Sequence, residues 1–405
     1  MSFPTTYLDE ANEILPGVIA DRRHLHEHPE LGFQEFATAT FVTERLAALG
    51  VEDIRTEINV TGVTGLIRGT GSGPGSGRCV LVRADMDALP IHEENEVEYR
   101  SRNDGVMHAC GHDAHTAMLL GVTRLLMDRR DQFAGTVKVL FQPSEEANGG
   151  GAKGMIEQGV LEDPHVDAVF ALHTSSGQDA GTISAIAGPS MAAADAFTVT
   201  IQGKGGHGAY PHTCTDPLIA GMEIVSALQT LVSREVDPID KAVLSVCTFK
   251  AGEALNVIPD TATFGGTVRT FAPATRDLME KRIAEVATGI AEAMGATASV
   301  TYSRGYPSLN NDAAMVEVVR DAARDVVDDD ILLEGTTRMG AEDFSYFLLE
   351  RPGCFFRIGT GGDEKDSRWS HHHPRFDIDE NAMAPAIATM ARTVILALER
   401  AGQDA

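Results

Sequence analysis

His108-Ala109-Cys110-Gly111-His112-Asp113-Ala114-His115-Thr116 runs from a loop into a helix between two apolar stretches that read as buried strands, Cys79-Val80-Leu81-Val82 and Thr136 to Phe141. Strand, helix and strand in that order form the repeating unit of an α/β sheet. Three histidines, one cysteine and one aspartate within nine residues make a dense set of soft and borderline metal donors. Cys110 and His112 are two residues apart, and a helix of about 3.6 residues per turn would part them by roughly 200°. They can face one ion only on extended backbone, so the donors are expected ahead of the helix, which is placed over 114–127. The stretch alone fits a polar helix start equally well, since neither an HExxH pattern nor a paired CxxC accompanies it.

Working outward, the strand at Cys79 delivers Arg83-Ala84-Asp85-Met86-Asp87 at its carboxyl end, and the strand at Thr136 delivers Gln142-Pro143-Ser144-Glu145-Glu146. A third, Ala168 to Leu172, delivers His173. Three strands that end in carboxylate or imidazole, separated by helical stretches, place a site at the carboxyl edge of the sheet. The glycine-rich run over 69–77 lacks the lysine of a phosphate-binding loop and leads into a strand, so it reads as a surface loop. Helices are expected from Leu8 to His28, ended by Pro29, and from Glu35 to Leu49. On the first, His24 and His28 share a face while His26 points elsewhere, and all three read as structural or as supports behind a ligand.

From Pro189 the texture changes. A strand at Phe197, a helix opening at Asp216-Pro217, strands over 242–249 and 261–270, a helix over 274–294 and a strand over 296–302 follow in the order β-α-β-β-α-β, a ferredoxin-like split unit. The expected division is 1–188 and 306–405 for one α/β domain, with 189–305 inserted. In the last part, Trp369-Ser370-His371-His372-His373-Pro374 lies between a strand and a closing helix over 381–398, and one of its histidines reads as a ligand beside two bystanders.

A chain of 405 residues suits two domains. No run of roughly 18 to 20 uninterrupted apolar residues suggests a membrane span, and no secretory leader is visible at Met1. Five scattered cysteines do not make a disulfide framework, which points to a reducing, cytoplasmic setting. The formal charge of −26 argues against nucleic acid and anionic membranes as partners.

The set Arg83 to Pro90, His108 to Thr116, Pro143 to Glu146, Gly203-Lys204-Gly205-Gly206-His207, Met339-Gly340-Ala341-Glu342-Asp343-Phe344 and His372-His373-Pro374 resembles the M20 metallopeptidases. The nearest branch is the amidohydrolases: hippurate hydrolases, N-acyl amino acid deacetylases and indole-acetyl amino acid hydrolases. The resemblance implies a zinc-peptidase-like α/β domain with a mixed sheet flanked by helices, and an inserted α+β lid and dimerisation domain. It implies two divalent ions (zinc, manganese, cobalt or nickel) on Cys110, His112, Glu146, His173 and His372, with Asp85 and Asp87 orienting those ligands. Glu145 becomes the general base, and His207 an oxyanion donor reaching a partner subunit in a homodimer. Asn256 and Arg269 are the candidates for holding the carboxylate of an N-acyl amino acid or short peptide. A dipeptidase with the same metals is the alternative, and a non-catalytic metal-binding protein a more distant one. Two departures are Gly208, where alanine is common, and Thr174, where an apolar or small residue is expected.

Overall fold

The computed structural model describes residues 6–147, 149–328, 331–363 and 366–400, and the chain divides into two compact units. One comprises Met191–Leu309 and Thr337–Glu342, and the other the rest of the described chain. The return of Thr337–Glu342 to the inserted unit has no counterpart in the division read from sequence.

The larger unit is built on an eight-stranded mixed sheet among the described residues. Its order is Glu52–Ile58, Gly62–Arg68, Thr136–Gln142, Cys79–Asp85, Ala168–Asp179, Gly353–Gly361, Ile183–Ala185 and Leu332–Glu334. The four strands from Thr136–Gln142 to Gly353–Gly361 are mutually parallel. Cys79–Asp85 and Gly353–Gly361 are buried along their whole length, as expected for parallel strands covered on both faces. The third strand runs past Leu172 to Asp179, so His173 lies within it rather than at its end. Its pairing with Gly353–Gly361 explains the extension: the register holds from Val169 to Ser175 and resumes at Asp179 after a bulge.

Helix His112–Asp128 is buried along nearly all of its length, and so is the closing helix Met383–Arg400. The segment Glu380–Arg400 is long and apolar enough to span a bilayer, with an 18-residue window of mean hydropathy 1.4, yet 83% of that window is buried within the protein. Arg392 interrupts the segment, so it is not an unbroken apolar run. A helix apolar all round is what a core enclosed on every side requires.

The inserted unit has a four-stranded antiparallel sheet in the order Ala242–Ala251, Thr261–Thr270, Ala193–Gln202 and Thr297–Arg304. Helices Pro217–Thr230 and Pro273–Ala293 pack on one face through Ile224, Leu228, Met279, Ile283 and Ala287. Strand order and chain order together give the split β-α-β arrangement. Asp216 caps the first helix through Leu218 N–H at 2.9 Å, with Pro217 at its first position.

Candidate active site

The loops that follow the parallel strands, with His173 from within Ala168–Asp179, bring the donors of the larger unit together. Cys110 lies just ahead of the helix, Gly111 turns the chain with φ of +86°, and His112 opens the helix instead of preceding it. A Cβ on Gly111 would stand 2.6 Å from Thr174 Oγ1, so glycine is required for space as well as for conformation. Two overlapping sets each have their donor atoms within 4.8 Å: Cys110, His112 and His173, and Cys110, Glu146 and His372. Glu145 falls in a third such set with His112 and Glu146.

The hydrogen bonds decide which nitrogen each histidine presents. His112 Nδ1 lies 2.9 Å from the Asp87 carbonyl and 3.1 Å from Asp87 Oδ1, so it donates there and Nε2 is the nitrogen that can turn to a metal once its proton leaves. Nε2 is buried and has no hydrogen-bond partner among the described residues. His173 Nδ1 donates to Thr174 O at 2.7 Å, and its Nε2 faces Cys110 Sγ at 3.6 Å. Glu146 Oε1 lies 2.9 Å from His372 Nε2 without the angles of a hydrogen bond. Two buried atoms without partners among the described residues, His112 Nε2 and Glu146 Oε1, within this cluster of donors are what a cation would satisfy, and the thiolate, imidazole and carboxylate types suit a divalent transition metal.

The orienting contacts are equally specific. Asp87 also accepts the Glu146 N–H at 2.8 Å, so one carboxylate ties the His112 ring to the Glu145-Glu146 turn. Asp85 accepts from His115 Nδ1 at 2.6 Å and from Arg83 at 2.6 Å. His115 Nε2 in turn accepts the Thr174 N–H at 2.9 Å. Both nitrogens of His115 are therefore engaged within the protein. Arg83 continues to Asp343 at 2.9 Å, which also takes the Gln142 amide and the Ala152 N–H that starts a short helix.

Electrostatics of the ion-free site follow from these contacts. Burial disfavours a charged His112, but Asp85 and Asp87 outweigh it and lift its pKa to about 10. Burial, reinforced by Glu146 and Glu145, pushes the Cys110 thiol well above its ordinary value. Burial and the neighbouring rings of His115 and His371 hold His173 well below its own, so it is neutral. Asp85 stays ionised despite burial, because Arg83, His112 and His115 surround it.

Several neighbours of the site escape a reading of sequence. His371 is no bystander: its ring centroid lies 5.2 Å from that of His173, and its Nε2 is 3.4 Å from Thr174 Oγ1. His373 stacks on Trp369 at 4.3 Å. His26 is buried between Asp113 at 2.8 Å and Glu93 at 3.1 Å, with Arg22 Nε also donating to Asp113 at 2.8 Å. That network anchors the residue next to His112. His24 stacks on Phe41, and His28 donates to the His24 carbonyl.

In the inserted unit, His207 is exposed on a two-residue strand paired with Val257–Ile258. The adjacent Gly208 N–H donates to the Asn256 carbonyl at 2.8 Å, so His207 and Asn256 lie side by side at one two-stranded ladder. His207 Nδ1 accepts the Ala209 N–H at 3.0 Å, which leaves the ring hydrogen on Nε2. Arg269 is half-buried near the far end of Thr261–Thr270, roughly 25 Å along the strand from that ladder at about 3.3 Å per residue. Within one chain, the two residues expected to hold a substrate carboxylate are thus far apart.

The family model described as Peptidase family M20/M25/M40 matches residues 81–396. The chain belongs to this family. N-acetyl-L-cysteine deacetylase of Bacillus subtilis is 43% identical over 369 residues, 91% of this chain and 85% of that protein. IAA-amino acid hydrolase ILR1-like 4 of Arabidopsis thaliana is 39% identical over 399 residues, 97% of this chain and 89% of that protein. Among solved structures, the Bacillus subtilis YXEP protein, described as a dinuclear metal binding peptidase from the M20 family, superposes with a TM-score of 0.83 at 36% identity. The match covers 96% of this chain and 99% of that one. This M20-family chain is accordingly a hydrolase of amide bonds.

Proposed function

We propose that the protein is a metal-dependent amidohydrolase that cleaves N-acyl amino acids, with two divalent ions held by Cys110, His112, Glu146, His173 and His372. The observation that carries this reading is the two donor sets sharing Cys110, with Glu145 within 4.8 Å of the His112 and Glu146 donor atoms. Zinc fits the thiolate and imidazoles best, while manganese, cobalt and nickel suit the carboxylate-bearing half. Divalent ions there supply Lewis acidity toward the amide carbonyl and lower the pKa of water.

The protein's own groups do the rest. Glu145 takes the proton from the attacking water and returns it to the leaving amine. Asp87 holds the His112 ring and the Glu146 backbone in one arrangement. His207 Nε2–H is the oxyanion donor, offered to the site of a second subunit. A homodimer through the inserted unit is supported by Ala242–Ala251, an edge strand among the described residues, beside exposed Phe249 and Met222. Asn256, which accompanies His207 from one subunit, and Arg269 of the other hold the substrate carboxylate. Five free cysteines suit the cytoplasm.

The experiment is amine release by purified protein loaded separately with manganese, zinc or cobalt. Acetyl, benzoyl and indole-acetyl amino acids are offered beside free dipeptides. Hydrolysis of the acylated set is expected, dipeptide preference would move the protein to the exopeptidases, and no hydrolysis with two metals bound would refute the enzyme reading.

A further inference from the structure

The Pro143–Glu146 turn carries the proposed base and one proposed ligand, and it is bent at a residue that does not favour bending. Ser144 has φ of +55°, a left-handed conformation that costs a non-glycine residue of order 1 kcal/mol unless its surroundings enforce it. Relaxation at Ser144 would rotate the backbone that carries Glu145 and Glu146.

Two carboxylates oppose that relaxation. Asp87 accepts the Glu146 N–H, as described, and Glu35 Oε1 accepts the Ser144 N–H at 2.8 Å. Glu35 Oε2 accepts the Thr61 hydroxyl at 2.6 Å, so both oxygens are engaged and the side chain cannot swing. Glu35 is fully buried and comes from the segment that precedes helix Phe36–Ala48. That segment is pressed on both catalytic loops. A Cβ on Gly32 would lie 2.7 Å from Ser144 Oγ, Leu31 forms a parallel bridge with Ala88, and the Ala88 N–H donates to the Glu30 carbonyl at 2.8 Å.

A methionine or leucine would fill the space around Glu35 at a lower desolvation cost. Burial, aided by the nearby Asp87, lifts the Glu35 carboxyl to about 7, which records that cost. What a hydrocarbon cannot supply is an acceptor for the Ser144 N–H.

We propose that Glu35 is a positioning residue for catalysis: by holding the Ser144 N–H it fixes the direction in which Glu145 takes up and delivers its proton. The proposal rests on the reading of Glu145 as the base, and it gives the N-terminal segment a part in the chemistry.

The test compares holoenzymes carrying Glu35→Ala, Glu35→Gln and Glu145→Gln, with kcat, KM, metal content and thermal midpoint measured on the acyl amino acid that the wild type cleaves fastest. Glu35→Ala is expected to lower kcat by about 10- to 100-fold, the scale of a misplaced catalytic group, with KM within twofold and full metal content. Glu35→Gln restores most of the turnover, because its amide oxygen accepts from Ser144 and its NH2 donates to Thr61. Should Glu35→Ala not fold, Glu35→Asp, one methylene short of Ser144, is expected to show the same split between kcat and KM. Wild-type kcat in Glu35→Ala overturns the proposal. So does a Glu35→Gln as impaired as the alanine variant, or a loss of kcat that only tracks lost metal. An active Glu145→Gln would sink the base assignment and the proposal with it, whereas an inactive Glu145→Gln beside an unimpaired Glu35→Ala would sink the positioning role alone.

Discussion

Replacing His26 tests whether the buried network beneath the metal donors contributes stability in the way its charges imply. His26 lies between Asp113 and Glu93, with Arg22 on Asp113 as well. Burial alone would keep the imidazole neutral, but Asp113 and then Glu93 outweigh burial and raise its pKa from 6.5 to about 9. A shift of that size corresponds to ~3 kcal/mol in favour of the protonated folded state. Because the folded pKa is the higher one, this contribution is fully present below about pH 6.5 and is lost as pH rises through about 9. His26→Gln removes the titration while keeping a side chain able to hydrogen-bond. Urea unfolding of both proteins across pH 6 to 10, followed by the fluorescence of the single tryptophan, Trp369 in the larger unit, gives the difference directly. Metal binding has its own pH dependence, but it is common to both proteins and cancels in the difference. The wild type is expected to be the more stable by ~3 kcal/mol at the acid end, with the gap closing by up to ~1.4 kcal/mol per pH unit above about 6.5. A gap that stays constant with pH would show that His26 is not charged in the folded state and refute the reasoning.

Three further outcomes follow from the site. Asp87→Ala, which frees the His112 ring and the Glu146 N–H together, is expected to weaken metal binding by about 10- to 100-fold; competition with a chromophoric chelator measures it. Loading metal at pH 7 should release about two protons per subunit, from His112 and the Cys110 thiol, both held protonated in the ion-free site, so affinity falls as pH is lowered. Titration calorimetry in buffers of different ionisation enthalpy counts them, and no release would contradict the ligand set. His207→Ala is expected to cut kcat by about 100-fold or more while metal content stays full, and unchanged turnover would remove its role as a donor.

Local patterning made the larger sheet legible. Cys79–Asp85 and Thr136–Gln142 are short, apolar and end in polar side chains, and such strands announce both themselves and the edge where a site can form. The inserted unit was legible for the same reason, since Phe197, Val199 and Ile201 alternate with polar residues along a half-buried strand. Contacts between distant parts of the chain were not legible. Arg22 meets Asp113 across 91 residues, and Glu35 meets Ser144 across 109. Neither partner belongs to a recognisable pattern, and a glutamate ahead of a helix ordinarily reads as a solvated cap. The length of Ala168–Asp179 was missed because its second half, His173 to Asp179, is polar, and its pairing with Gly353–Gly361 rather than any apolar rhythm keeps it extended. His371 was passed over because three adjacent histidines carry no periodicity to tell one from another.

The enclosed helix Met383–Arg400 also sets an order of events during synthesis. The larger unit needs this helix to cover its core and strand Gly353–Gly361 to pair with Ala168–Asp179. Both leave the ribosome after the inserted unit has its four strands and two helices. The insertion can therefore close its own core while the first half of the catalytic sheet still waits with an open edge and apolar faces, the species most exposed to aggregation. Chains released after residue 309 should hold a folded insertion beside an unfinished sheet, which makes the arrival of helix Met383–Arg400 the step that completes the catalytic core.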